Sequence, residues 1–425
     1  MDDPAGGRGR QMRHVIIGAG AAGIMAAEVL RRLDAKASIT VLDGEGEVPY
    51  ARMAIPYLLS DKIGEDGVRL RHDPEHYHSL RIDIVKGHAA SVDTAARTVR
   101  LSDDRVIPYD RLLIATGSVP NRESIEGMDL PGVHTCWTLA DARAIAAEIH
   151  PGARIVQMGA GFVGSIIVQS LVSRGAQLII LVRSGRMVSR MMPPKASEMI
   201  ARWCEAHGVR VMGKTQAARI ERDGSALKVT LTTGETLPAD IYLSVVGVKP
   251  GLDFLAGSGV AIEGGILVDE HLRTNVPGVY AAGDVAESRD SLYGKYQINA
   301  IQPNAVEQAR IAAVNMSGGD IPFIGSLAIN VLDTLGLISC SFGQWQGEPG
   351  GQGVEQVEEA DYRYLSLQFG GDHLVGATTI GFTDHVGALR GLIQGKVKLG
   401  AWRERLLADP ALFMEAYLAT AEKQA

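Results

Sequence analysis

The stretch RHVIIGAGAAG, residues 13–23, limits what this chain can fold into more than any other. Residues 14–17 are a short, largely β-branched run that reads as a strand buried on both faces. The chain then passes through Gly18-Ala19-Gly20-Ala21-Ala22-Gly23 into residues 24–32, which are helix formers. Strand, GxGxxG and helix in that order form a dinucleotide fingerprint. The first glycine makes the tight turn, the second lets backbone approach a pyrophosphate, and the third lets helix and strand pack closely. The phosphates then rest on the helix N-terminus. A further strand at residues 38–42 ends in Asp43, about 20 residues after Gly23, where a carboxylate takes a ribose hydroxyl.

The same device returns. Residues 154–158 read as a strand, Gly159-Ala160-Gly161-Phe162-Val163-Gly164 is a second GxGxxG, residues 165–174 are helical, and 178–182 form the next strand. Each βαβ unit holds one pyrophosphate, so two fingerprints imply two nucleotide sites. The second differs at its deciding position: the strand runs into Arg183-Ser184-Gly185-Arg186, with no carboxylate. An acid there pairs the 2′-hydroxyl of NAD, whereas arginines and a serine hydroxyl suit the 2′-phosphate of NADP. NADP is therefore the expected coenzyme ahead of NAD, with a solvated basic turn as the plainer alternative.

Composition narrows the class. A chain of 425 residues holds two or three domains, and 50 glycines suit α/β turns and nucleotide loops. A net charge of -7 argues against a nucleic-acid binder and gives no general attraction to membranes. Cys136, Cys204 and Cys340 stand too far apart for a CxxC pair and favour a reducing, cytoplasmic compartment. The apolar run 15–30 follows three arginines like a signal peptide, but its glycines have phosphate-loop spacing. Residues 1–12 read as a disordered leader. His72, His76 and His78 lie in a charged segment; without a cysteine or an open-site pattern, a solvated helix end explains them better than a metal site.

Between the fingerprints, residues 82–87, 89–93 and 98–101 read as a small antiparallel insert. A buried strand at 112–115 ends in Thr116-Gly117, suited to close passage past a ligand. A Pro/Gly-rich boundary follows at 119–132, and 141–149 reads as a helix. Residues 236–246 complete the second domain and Lys249-Pro250 crosses back. Ala281-Ala282-Gly283-Asp284 then precedes a helix at 304–316, where an Asp can hold a sugar or ribityl hydroxyl. From about 326, strands at 362–368 and 374–380 and helices at 383–394 and 401–408 read as an α+β domain without a nucleotide motif. The expected fold class is α/β: two Rossmann-like domains (13–118 with 250–325, and 119–249) and a C-terminal α+β domain (326–425).

GAGAAG, LLIATGSVP, GAGFVG and GVYAAGD, in this order, resemble the two-dinucleotide-domain flavoproteins of the pyridine nucleotide-disulfide oxidoreductase superfamily. The resemblance implies a glutathione-reductase-like fold, FAD on the first fingerprint, NAD(P)H on the second and a C-terminal interface domain that dimerises. Gly18, Ala19, Gly20, Ala21, Ala22 and Gly23 would then hold the FAD pyrophosphate. Asp43 would take the adenosine ribose, Ala115, Thr116 and Gly117 would lie against FAD, and Gly283 and Asp284 would meet the ribityl chain. Gly159, Gly161, Phe162, Val163, Gly164, Arg183, Arg186 and Gly247 would hold the second coenzyme.

The loop YARMAIPY, residues 50–57, resembles the flavin-facing loop of coenzyme A disulfide reductases and NADH oxidases, with Met53 where those carry a redox cysteine. A thioether forms neither a thiolate nor a sulfenic acid, so disulfide and cysteine-peroxide chemistry are not expected. The loop also resembles oxygenase-type ferredoxin reductases, whose lysine and glutamate are replaced here by Tyr57 and Ile166. The implied reaction is hydride transfer from NAD(P)H to the flavin and onward transfer to a ferredoxin-like or rubredoxin-like iron–sulfur protein. Arg52 and Tyr57 are the candidates to line the reacting pocket. Reduction of a small acceptor such as a quinone or dioxygen, and a redox-sensing scaffold, are the rival readings. Trp402 with Lys396, Lys398, Arg403 and Arg405 reads as a docking patch for an acidic carrier or as a solvated basic helix. His373, Asp384 and His385 have no assigned role.

Overall fold

A computed structural model describes residues 11–421. The leader expected over residues 1–12 therefore falls almost wholly outside the described residues. The chain forms two compact units. One holds the chain up to Ala51 together with Val68–Ser118 and Pro250–Ser326; the other holds Arg52–Gly67, Val119–Lys249 and Leu327–Ala425.

The first unit is built on a five-stranded parallel sheet in the order Val279–Ala281, Arg111–Ile114, Arg13–Ile17, Ser38–Asp43, Ile82–Lys86. Its central strand is buried on both sides, with Val15, Ile16 and Ile17 at most 4% exposed, as expected of a strand with a parallel neighbour on each edge. Helix Ala21–Leu33 packs on helix Gln302–Met316, with small residues such as Ala26, Ala27, Ala309, Ala312 and Ala313 fully buried. An antiparallel meander is inserted, but of Ala89–Asp93, Thr98–Leu101 and Val106–Pro108: Ile82–Lys86, expected in it, instead pairs in parallel with Ser38–Asp43 at the edge of the main sheet. His76–Ser79 is a single helical turn, and His76 Nε2 lies 2.9 Å from Glu28 Oε1, a carboxylate also bound by Arg71. These histidines thus do not converge; among the described residues no group of His, Cys, Asp and Glu is arranged to hold a metal ion.

The second unit repeats the parallel sheet, in the order Arg210–Gly213, Gln177–Val182, Arg154–Met158, Ile241–Ser244, Val133–His134. A meander of Ala217–Asp223, Ala226–Leu231 and Thr236–Ala239 covers one face, its Ile220, Leu227 and Val229 sharing a core with Val156, Leu181 and Tyr242 of the sheet. Residues 327–421 form a five-stranded antiparallel sheet, with Ile329–Thr334 and Gln352–Glu358 at its edges, and helices Val386–Gln394, Ala401–Ala408 and Phe413–Ala421. Segment 52–67, placed with the first domain by the sequence, belongs to this unit. Ser170 Oγ donates to Pro56 O (2.7 Å), Arg174 pairs with Asp61 (2.5 Å) and Arg143 with Glu65 (2.7 Å). No helix among the described residues is long and apolar enough to cross a membrane.

Candidate dinucleotide sites

In the first unit the glycines act as their spacing requires. Gly18 has φ +112, and a Cβ on Gly23 would lie 1.8 Å from the Gly18 carbonyl oxygen, so only glycine lets helix and turn meet. Gly20 has nothing within 4 Å of its would-be Cβ, so a ligand can approach its backbone. Helix Ala21–Leu33 begins at Gly20 with no side-chain cap and no acid in its first turn, leaving its N–H groups and positive dipole end for an anion. Asp43 closes its strand buried, with Oδ1 accepting the Glu45 N–H at 3.0 Å, and burial raises its carboxyl above the ordinary value. Ala115 is buried and Gly117 has φ +65. Asp284 lies 3.4 Å from the donor Ser118 Oγ, and the Gly283 N–H donates to Gln308 Oε1 at 2.8 Å. Gln308 is buried within helix Gln302–Met316 and fixes the Gly283–Asp284 turn. No sequence motif marked it.

The second unit reproduces this apparatus. Gly159 has φ +107, a Cβ on Gly164 would lie 2.6 Å from Gly159 O, and helix Phe162–Ser173 starts at Gly161 with no side-chain cap and no acid in its first turn. Helix Leu139–Glu148 shows the contrast, because Thr138 and Asp141 satisfy its N-terminus reciprocally. The two fingerprint helices are left open, and both turns therefore fit the diphosphate of a dinucleotide.

Beside the second fingerprint lies a cleft lined by Thr135, Cys136, Trp137, Val163, Ser244 and Gly247, the last with φ +99. Of the expected coenzyme residues, Val163 and Gly247 meet here, whereas Phe162 is not part of the lining. Thr135, Trp137 and Ser244 belong to segments between motifs, where no local pattern marks them. Arg183 and Arg186 are exposed, and Ser184 Oγ donates to Arg186 O (3.0 Å) and accepts from Ser189 Oγ (3.2 Å). Glu123 is a further unforeseen neighbour. Burial raises its carboxyl above the ordinary value, although Ser244 Oγ (2.7 Å) and Tyr242 OH (3.1 Å) donate to it and Arg183 acts on it electrostatically.

Arg52 is part of the same unit. Its Nη1 donates to Trp137 O (2.8 Å) and its guanidinium lies 5.4 Å from the Trp137 ring centroid. Tyr57, on the short helix Ile55–Leu59, is 53% exposed, as is Met53 at 61%. All three cysteines are buried and free, and burial pushes the thiols of Cys136 and Cys204 up to about 12 and raises that of Cys340. At neutral pH such thiols stay protonated and unreactive. In the C-terminal segment, Arg405 stacks 3.7 Å over Trp402, and Arg403 donates to Gly371 O (2.8 Å) and pairs with Glu404 (2.5 Å). Those two arginines are thus engaged within their own sheet and helices.

Comparison with known proteins agrees with this apparatus. The family model described as pyridine nucleotide-disulphide oxidoreductase matches residues 12–312. The NADH-dependent phenylglyoxylate dehydrogenase subunit epsilon of Aromatoleum evansii is 31% identical over 401 residues, 94% of this chain and 95% of that protein. A probable ferredoxin reductase of Castellaniella defragrans is 33% identical over 73% of this chain and 76% of its own length. Among solved structures, the covalent putidaredoxin reductase–putidaredoxin complex contains a chain with a TM-score of 0.89 and 23% identity, covering 96% of this chain and 99% of that one. Two open fingerprint helices on two parallel sheets, matched by a family model over most of the length, have one reading: the chain belongs to the pyridine nucleotide-disulphide oxidoreductase family.

Proposed function

We propose that this flavoprotein oxidoreductase draws electrons from a reduced nicotinamide coenzyme and delivers them to an iron–sulfur carrier protein without a redox-active cysteine. One observation carries the reading. Two uncapped glycine-turn helices offer separate dinucleotide seats, while every cysteine is buried as a protonated thiol. FAD, bound at the first seat, supplies the conversion between a hydride donor and a one-electron acceptor. The chain's own residues do the rest. Gly18, Gly20 and the first-turn N–H groups hold the FAD diphosphate, Asp43 accepts from the adenosine ribose, and Asp284, set by Gln308, orients the ribityl chain. Gly159, Gly161, Val163 and Gly247 seat the second coenzyme. Hydride transfer between stacked rings needs no acid or base, so position is the protein's main contribution. Met53, exposed where a cysteine would serve, leaves protein disulfides and peroxide outside the range of acceptors.

The finer coenzyme choice follows from the turn after Gln177–Val182. Arg183 and Arg186 follow the strand where an acid would pair the ribose hydroxyl of NAD, and they favour a 2′-phosphate, so NADPH is the proposed coenzyme ahead of NADH. Two features weigh against a strong preference. The near-full-length relative is named for NADH, and the Glu123 carboxylate acts on Arg183. The names of the relatives, a ferredoxin reductase and a dehydrogenase subunit, support a protein acceptor. The test is anaerobic turnover with a [2Fe–2S] ferredoxin and a rubredoxin beside a quinone and dioxygen. Reduction of an iron–sulfur protein at least tenfold faster than of the small acceptors is expected. Turnover with small acceptors alone would reject the carrier reading.

A further inference from the structure

The cleft beside the second fingerprint has a wall that the family motifs do not describe. The sheet order fixes how a dinucleotide must lie on it. The strand Arg154–Met158 and its glycine turn are central, with Gln177–Val182 on one side and Ile241–Ser244, then Val133–His134, on the other. A diphosphate over Gly159–Gly164 with its adenosine at the Arg183 turn sends the nicotinamide half across the far strand ends. There the chain presents Gly247, beyond the end of Ile241–Ser244, and Trp137, beyond the end of Val133–His134, both lining the cleft with Val163.

Trp137 is held for such a task. Asp141 Oδ2 accepts from Thr135 Oγ1 (2.9 Å), Trp137 N (2.9 Å) and Thr138 N (3.0 Å), and the Asp141 N–H donates to Thr138 Oγ1 (3.0 Å). One carboxylate thus pins the turn that carries the ring. From another element Arg52 donates to the Trp137 carbonyl and sits against its indole. Trp137 is half-buried, its backbone is fixed, and it lines the cleft. A rigid aromatic plane beside the place of a planar ring is a stacking surface, and offset stacking adds to the burial of both.

We propose that Trp137 is the aromatic wall of the nicotinamide pocket and that Asp141 positions it. This rests on the reading that the second fingerprint takes NAD(P)H. The wall contacts the half common to both coenzymes, so it sets affinity and ring placement without selecting between NADH and NADPH. Two measurements on the FAD-loaded protein test it. Titration with NAD+ or NADP+ should quench part of the tryptophan emission, and Trp137→Phe should remove that change although Trp203, Trp345 and Trp402 remain. In anaerobic flavin reduction, Trp137→Ala should raise the coenzyme dissociation constant about tenfold for NADH and NADPH alike, while Trp137→Phe stays within about threefold of wild type. Flavin content and the melting temperature of the phenylalanine variant control for folding.

Quenching that persists in Trp137→Phe, or a dissociation constant unchanged in Trp137→Ala, overturns the proposal while leaving the coenzyme reading intact. Failure of both coenzymes to bleach the wild-type flavin, with no quenching by either oxidised form, overturns both.

Discussion

His14 is the second residue of Arg13–Ile17, paired to Ile39 and Arg111 in the neighbouring strands, and is only 2% exposed with Nδ1 unpartnered. Burial disfavours the imidazolium and lowers its pKa to about 4 from an ordinary 6.5. A base whose folded pKa is depressed binds fewer protons folded than unfolded below pH 6.5, so stability falls as pH drops from 6.5 towards 4. The full loss is about 3 kcal/mol at the acid end. His14→Leu should therefore flatten the fall in melting temperature between pH 7 and pH 4.5 that the wild type shows. An unchanged pH profile would refute the assignment. The sequence reads this residue correctly as part of a buried strand, but its protonation state depends on neighbours on both edges that no local pattern reveals. Gly18 and Gly23 are the opposite case. Their roles follow from spacing, because the Gly18 carbonyl that forbids a side chain on Gly23 lies within five residues of chain and Gly18 itself takes a local φ of +112.

At the scale of elements, what is legible depends on how local the cause is. Both fingerprint helices were readable, although each begins earlier than its helix formers suggest, at Ala21 and Phe162, because glycine geometry rather than propensity starts them. The strand Gln352–Glu358 was not read. At a sheet edge QGVEQVE needs no apolar stripe, and only Val354, Gln356 and Glu358 are even partly covered. The hairpin of Ile329–Thr334 and Leu337–Gly343 was equally hidden, since Leu335 and Gly336 take positive φ in its turn and leucine advertises no such turn. Helix Leu139–Glu148 depends on its capping box, and Asp141→Ala removes three accepted hydrogen bonds at once. The expected cost is about 1–2 kcal/mol, read as a lower melting temperature in calorimetry. A change within error would show that the turn at Thr135–Thr138 is held by other contacts.

For the whole molecule, two parallel sheets, each with an open glycine turn, were legible because each is announced by one contiguous stretch. The cleft was not. Thr135 with Trp137, Val163, and Ser244 with Gly247 come from three separate segments and are assembled only by the strand order. Segment 52–67 was misplaced for the same reason: its ties to helices Leu139–Glu148 and Phe162–Ser173 join residues about 80 to 115 apart in the chain. In the proposed function the two seats work in series on one electron path. The decisive experiment is anaerobic stopped-flow reduction of the bound flavin, with NADPH and NADH side by side in the wild type and in Arg183→Ala/Arg186→Ala. Fast bleaching by a reduced nicotinamide coenzyme is expected and, in the double variant, a loss of NADPH affinity about tenfold or more beyond any loss for NADH. A flavin that neither coenzyme bleaches would contradict it.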